Sequence, residues 1–374
     1  MNFSYWEQQS FLHYDALIIG SGIVGLSAAY YLKIKYPDWK IAVLEQGMLP
    51  SGASTKNAGF ACFGSISELI EQEKTAGTDG LLQLVERRWK GLLRLRELLG
   101  DQNIDFQNNG GYEIFDTASI TLKKECFAKI RYYNQLLESV LPLWDTFSVS
   151  REKISTFGFK NVQGMIENKL EGQIDTGKMM FALMQKVQSA GVLLLNSCKV
   201  ENIEPIPHGI RLHCTQGKFQ TRHLLLATNA FTKTLAPQLD VVPGRGQVLI
   251  TEPIPRLRLK GTFHYDKGYY YFRNIHNRIL IGGGRNLAFE EETTTQFGLT
   301  DNIQQRLEQL LREIILPGIP FRIAQRWSGI MAFGKDITPI IQQLQPGIYC
   351  AVRGSGMGIA MGTQTGFDLA KMVD

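Results

Sequence analysis

The chain has no apolar run that approaches the length of a bilayer span, no internal repeat and no low-complexity stretch. Those absences argue against a helical membrane protein, a solenoid and a disordered segment. Cysteine is sparse: five in 374 residues, at positions 62, 126, 198, 214 and 350, with no two at metal-ligand spacing. An odd, scattered set of this kind predicts neither a disulfide framework nor a metal site, and fits reduced thiols in a cytoplasmic protein. Met1–Tyr14 lacks a basic region leading into an apolar stretch, so no export signal is read. The net charge of +5 is small and dispersed. It gives no nucleic-acid footprint, though a slight positive excess suits an anionic ligand. No Ser-His-Asp arrangement is apparent. What remains is an ordinary globular composition, 44% apolar, in a chain long enough for two domains or an elaborated α/β core.

The first 45 residues carry the strongest pattern. Asp15-Ala-Leu-Ile-Ile19 reads as a strand, Leu26 to about Lys35 as a helix, and Lys40-Ile-Ala-Val-Leu-Glu45 as a second strand. Between strand and helix lies Gly20-Ser-Gly22-Ile23-Val24-Gly25. Gly20 suits the tight turn, Gly22 the approach of a pyrophosphate to the backbone, and Gly25 close helix–strand packing. The helix start offers free N–H groups and a positive dipole end to the phosphates. Glu45, twenty residues after Gly25, stands where a carboxylate accepts from ribose hydroxyls and repels a 2′-phosphate.

The segment Gln46–Phe60 contains small residues from Gly52 to Gly59, with Ala53 and Ala58 among them. It would let backbone approach a flat ligand, with Ser54, Thr55 and Asn57 offering hydrogen bonds; the plainer reading is a polar loop. Near the C-terminus, Tyr349–Val352 leads through Gly354-Ser355-Gly356-Met357-Gly358-Ile359 into a helix expected over Thr363–Val373. This is a second anion-ready glycine turn at a helix start, and the alternative is a packing turn. Two such turns at opposite ends of the chain suit FAD better than NAD alone.

These elements, with Leu224–Thr228-Asn229 and Arg326-Trp327-Ser-Gly329, resemble the D-amino-acid-oxidase-like (DAO) family of FAD enzymes. That group includes glycine oxidase, sarcosine oxidase, D-amino-acid dehydrogenase and γ-glutamylputrescine oxidase. Ser4-Tyr5-Trp6 is typical of the last type. The resemblance runs over nearly the whole chain. It implies a Rossmann-type FAD-binding domain from three stretches, 1–80, 155–235 and 320–374, and an α+β substrate domain from 81–154 and 236–319. It places Ala227, Thr228, Asn229 and the backbone of Val200 near the adenosine half, and Gly329, Lys56 and the C-terminal turn near the flavin. The turn would steady negative charge on the reduced pyrimidine ring. FAD is expected to be non-covalent, because no cysteine lies between 214 and 350 and no histidine between 45 and 65.

Within the middle stretch, Asp175 or Thr176 is expected to cap a helix over Met179–Ser189, with a strand at Val192–Asn196. In the substrate domain, Gly110–Phe115, Gly246–Thr251, Tyr269–Arg273 and Arg278–Ile281 read as one antiparallel sheet. Leu81–Leu99 and Asp301–Leu316 read as amphipathic helices, the first with Arg87, Arg88, Lys90, Arg94 and Arg96 on a solvated face rather than on a membrane. Tyr269, Tyr271 and Arg273 share one strand face and are the candidate substrate contacts. The competing reading is a packed aromatic face with a snorkelling arginine. His264 and His276 read as turn or surface residues.

One departure bears on the substrate. Glycine-oxidase-like sequences carry an arginine two residues after the glycine of Trp-x-Gly; here Met331 stands there, and a thioether cannot pair with a carboxylate. A simple D-amino acid or glycine then requires Arg273, Arg245 or Arg285 to take over; the γ-glutamylputrescine type also has an apolar residue there, and that resemblance points to a larger amine or an N-substituted amino acid. The expected activity is oxidation of an amine or amino acid, with oxygen or another acceptor reoxidising the flavin. The alternatives are an FAD-dependent 2-hydroxy-acid dehydrogenase and a flavin-binding subunit without turnover.

Overall fold

The structure, a computed structural model, describes residues 3–374. Met1 and Asn2, the start of the first expected stretch, lie outside the described residues. A five-stranded parallel sheet forms one half, in the order Ile348–Val352, Gly217–Leu226, His13–Ile19, Ile41–Leu44, Leu193–Leu195. Both faces are covered, one by helices and the other by the hairpin Val200–Ile206/Gly209–Cys214, so Ile41–Leu44 is buried at every position. Ile340–Gln345 adds an antiparallel edge, and the hairpin Val200–Ile206/Gly209–Cys214 folds onto Gly217–Leu226. The helices Ile23–Lys35 and Thr176–Ser189 share with the final helix, Gly358–Lys371, one apolar core that includes Leu26, Leu183 and Leu369. This is the Rossmann-type unit expected from the sequence.

The second sheet has eight strands, in the order Ile323–Phe333, Val242–Thr251, Arg278–Gly283, Tyr270–Ile275, Thr262–Tyr265, Gly111–Asp116, Val162–Asn168, Phe147–Val149. All four expected strands lie in it, but it is not wholly antiparallel: Thr262–Tyr265 pairs parallel with Gly111–Asp116. Two strands also cross the expected division of the chain. Val162–Asn168 and Ile323–Phe333 lie in stretches assigned to the nucleotide half, yet they pair here. Met331 on the latter strand opposes Gly244, and Gly329 opposes Gly246.

The basic helix is longer than its sequence pattern indicates. It spans Ile66–Leu99, broken at Gly77, whose φ of 71° is outside the helical range. Arg88 does not join its solvated face: it is buried, and donates to the Phe63 carbonyl (2.7 Å) and Gln72 Oε1 (2.9 Å). The apolar Leu93 takes the exposed position instead. Asp301–Leu310 is followed by a single π-turn, Leu311–Ile315, rather than by further α-helix. The final helix begins at Gly358, ahead of the expected start at Thr363.

Candidate functional site

A cavity of about 890 Å³ runs from the carboxyl end of His13–Ile19 into the second sheet. The first glycine turn forms its floor. Gly20 has φ +104°, and a Cβ on Gly25 would lie 1.9 Å from the Gly20 carbonyl oxygen. Gly25 therefore serves packing and does not face the cavity, whereas Gly20, Gly22, Ile23 and Val24 line it. The helix that starts at Ile23 has no acidic residue in its first turn and no capping side chain on Gly22; Ser54 Oγ instead accepts from the Ile23 N–H (3.0 Å). Glu45 is buried at the cavity wall. One carboxylate oxygen accepts from the Ser21 N–H and hydroxyl (3.1 and 2.7 Å), the other from the Gly47 N–H and the Ser51 hydroxyl (2.9 and 3.0 Å). Four donors hold its charge without a cation partner.

Of the following loop, Gln46, Ala53, Ser54, Lys56, Asn57, Ala58 and Gly59 reach the cavity. Thr55 does not: it is exposed, and its hydroxyl donates to the Pro50 carbonyl (2.7 Å). Asn57 is a staple. Its amide donates to the Ser54 carbonyl (2.9 Å), and its oxygen accepts from the Gly59 N–H and Thr176 hydroxyl (2.9 and 2.8 Å). Val200, Ala227, Thr228 and Asn229 line the nucleotide end. Asn229 ties this end to the C-terminal turn by accepting from the Gly354 N–H (3.3 Å).

Gly354, Ser355, Gly356, Met357, Gly358 and Ile359 all line the cavity. The final helix likewise starts with no capping side chain and no acidic first turn. The Ser355 hydroxyl is buried without a partner. Lys56 and Gly329 meet here: a Cβ on Gly329 would lie 3.0 Å from Lys56 Cβ, and the Trp327 indole donates to the Lys56 carbonyl (3.1 Å). Two open helix starts, an orphaned hydroxyl and a Cβ-free floor fit a bound dinucleotide with a flavin at the Gly329 end.

The three candidate substrate contacts separate. Tyr271 lines the cavity, and burial pushes its phenol up to about 12, so it stays protonated. Tyr269 lies at the mouth, 40% exposed, just before its strand begins. Arg273 is not on the cavity: it is buried behind Gly59, donates to that residue's carbonyl (3.2 Å), and is lowered to about 10 by desolvation. Arg245 is also committed, in a buried two-bond pair with Glu292 (2.9 and 2.7 Å). Arg285 does line the cavity, beside Met331 and Phe333.

Sequence reasoning missed a buried acid–base group beneath the flavin end. His264 is a core residue on Thr262–Tyr265, not a turn or surface one. It donates to Glu171 (2.6 Å) and faces Glu68 at 3.5 Å. Desolvation alone would lower its pKa, but Glu171 and Glu68 outweigh it and raise the imidazole to about 9. Nearby Glu113 is raised to about 7 by burial. Cys62, whose thiol pKa is pushed up by burial, completes a group with Glu171 and His264 whose three ligand atoms lie within 4.8 Å of one another. The alternation of Thr262 and His264 with the core residues Phe263 and Tyr265 was a signal for the inward histidine. Its partner Glu171, 93 residues earlier, was not readable. His276 does lie in an exposed turn.

The chain matches the family described as FAD dependent oxidoreductase over residues 15–372. It is 25% identical over 371 residues to glycine oxidase of Geobacillus kaustophilus, with 96% of this chain and 93% of that protein covered. It is 21% identical to sarcosine oxidase subunit beta of Rhizobium meliloti, covering 88% and 77%. Among solved structures, glycine oxidase from Geobacillus kaustophilus superposes with a TM-score of 0.75 at 21% identity, covering 97% and 96% of the two chains. Iminodiacetate oxidase from Chelativorans sp. BNC1 gives 0.75 at 18%, covering 96% and 95%. With the cofactor-shaped cavity and a family match spanning almost its full length, the chain belongs to the DAO family of FAD-dependent oxidoreductases.

Proposed function

We propose that this enzyme oxidises an amine or amino acid at the carbon next to nitrogen, using FAD held without a covalent bond. Bound FAD supplies the acceptor: a hydride leaves that carbon with both C–H electrons, and a C=N bond forms in its place. Gly22, Ile23 and the Gly354–Gly358 turn hold the dinucleotide, and Glu45 meets the ribose. Tyr271 and Met331 wall the reacting end, and Tyr269 stands over its mouth.

What carries the choice of amine over alcohol is the set of relatives named for glycine, sarcosine and iminodiacetate, each of which is an amine. A neutral amine needs no base to release hydride, whereas a hydroxyl must lose its proton to one. Five free, buried cysteines support a cytoplasmic setting. Oxygen or another acceptor closes the cycle.

The test is anaerobic mixing of the FAD-loaded protein with pools of primary amines, secondary amines, amino acids and 2-hydroxy acids. Bleaching of the flavin band by an amine or amino-acid pool is expected. Bleaching by hydroxy acids alone would overturn the reading, and no bleaching by any pool would favour a flavin-binding subunit.

A further inference from the structure

Three metal-ligating side chains from distant parts of the chain meet at the wall of the cavity, and the amine reading above uses none of them. Phe60–Ala61 and Gly172–Gln173 pair antiparallel, with Phe60 opposite Gln173 and Ala61 opposite Gly172. One step further along, that register sets Cys62 opposite Glu171. His264 comes from the eight-stranded sheet, on Thr262–Tyr265, and its Nε2 stands 2.6 Å from Glu171. The Cys62 sulfur, a Glu171 carboxylate oxygen and a His264 ring nitrogen all lie within 4.8 Å of one another, and all three residues are buried.

The surroundings suit a ligand set better than a plain ion pair. The other imidazole nitrogen, Nδ1, faces Glu68 at 3.5 Å, so a carboxylate orients the ring and leaves Nε2 to the cluster. The Thr262 hydroxyl donates to Glu171 (2.7 Å) and fixes one of its oxygens. The other oxygen is buried without a partner, against Gly111, where a Cβ would lie 2.3 Å from it. Arg88, the cation that favours ionisation of Cys62, donates to Phe63 and Gln72 and, among the described residues, not to Glu171.

We propose that Cys62, Glu171 and His264 bind a zinc ion, with Glu68 as the carboxylate behind the imidazole. A thiolate argues against magnesium and calcium, which take oxygen donors. One sulfur, one nitrogen and one oxygen suit a tetrahedral zinc with its fourth position open. Zinc–ligand bonds of about 2.0–2.3 Å give a tetrahedron with edges of roughly 3.3–3.6 Å. The His264–Glu171 contact then opens by roughly 0.7 Å. In the metal-free chain the imidazole and the thiol hold protons; the entering ion displaces one from each, and both go to solvent. The ion joins the Phe60–Ala61/Gly172–Gln173 ribbon to the eight-stranded sheet, beside the cavity that Cys62 and His264 also line.

Metal binding is read apart from turnover. The FAD-loaded protein would be dialysed against a chelator, then titrated calorimetrically with zinc chloride. Cobalt chloride would be added in parallel while absorbance to the red of the flavin bands is followed. About one ion per chain is expected, with the absorption of tetrahedral cobalt and a higher melting temperature in zinc. Glu68→Gln should raise the zinc Kd about tenfold, and Cys62→Ser and His264→Gln each by more than about a hundredfold. Cys126→Ser, at a buried thiol outside the cluster, should leave the Kd unchanged. FAD content and melting temperature without metal establish that each variant is folded; where Cys62→Ser is not, Glu171→Gln takes its place. No zinc binding by the parent would overturn the proposal, as would equal affinity in the parent and the cluster variants, or a loss matched by Cys126→Ser. Any of these would leave amine oxidation standing, since flavin bleaching by amines reads that separately.

Discussion

At Gly25 a single hydrogen atom decides whether the nucleotide floor closes. A Cβ there would lie 1.9 Å from the Gly20 carbonyl, which is backbone and has nowhere to go. Gly25→Val is therefore expected to lower stability by roughly 3 kcal/mol and to strip FAD, read as melting temperature and flavin absorbance per protein. His264 gives a second prediction, with a sign. Its pKa is raised from an ordinary 6.5 to about 9, so its stabilising charge is fully present below pH 6.5 and lost as pH rises through about 9. Glu113, raised to about 7, acts in the same direction over the range from its ordinary value up to about 7. Thermal stability should fall between pH 6.5 and 9 by an amount on the order of 3 kcal/mol. His264→Gln should flatten that slope; an unchanged slope would refute the assignment. These residue-scale features were unevenly legible. Glycine spacing is local, so Gly20, Gly22 and Gly25 could be read directly, whereas the protonation of His264 depends on Glu171 and Glu68, brought in from distant parts of the chain.

Among the elements, those whose signals sit within a dozen residues were the readable ones. Asp175 caps Thr176–Ser189 by accepting from the Lys178 N–H at 2.9 Å, as its sequence suggested. Asp175→Ala should cost about 1 kcal/mol, measured as a shift of the denaturation midpoint. The helix Ile66–Leu99 was readable only from Leu81, because Gly77 and Gly80 interrupt the apolar period before it. Its capping box, Ser65 with Glu68, places Glu68 against His264 as well as at the helix start. Tyr271 and Arg273 share a strand face as period-two alternation requires. Tyr271 reaches the cavity, but Gly59 and its loop come between the cavity and Arg273. Side-chain alternation gives a face, not what lies over it.

For the whole molecule, the start of the nucleotide half was legible because a buried strand, a glycine turn, a helix and a second strand follow one another within His13–Leu44. The second sheet was less so. Its edge strand Ile323–Phe333 pairs with Val242–Thr251 across some eighty intervening residues, and its one parallel pair has no turn signal to announce it. No helix among the described residues is long and apolar enough to cross a membrane. The cavity is lined by residues of both halves, so FAD bound there would stabilise the protein by mass action. At a hundredfold excess over Kd the gain is about 2.7 kcal/mol, and removing the cofactor should lower the melting temperature by on the order of 5 °C.

The measurement to make first is the visible spectrum of the purified protein, before and after denaturation. Flavin bands that pass wholly into the supernatant, with the mass of FAD, are the result predicted by two open helix starts and a cavity of about 890 Å³. A colourless protein that also fails to take up added FAD would contradict it.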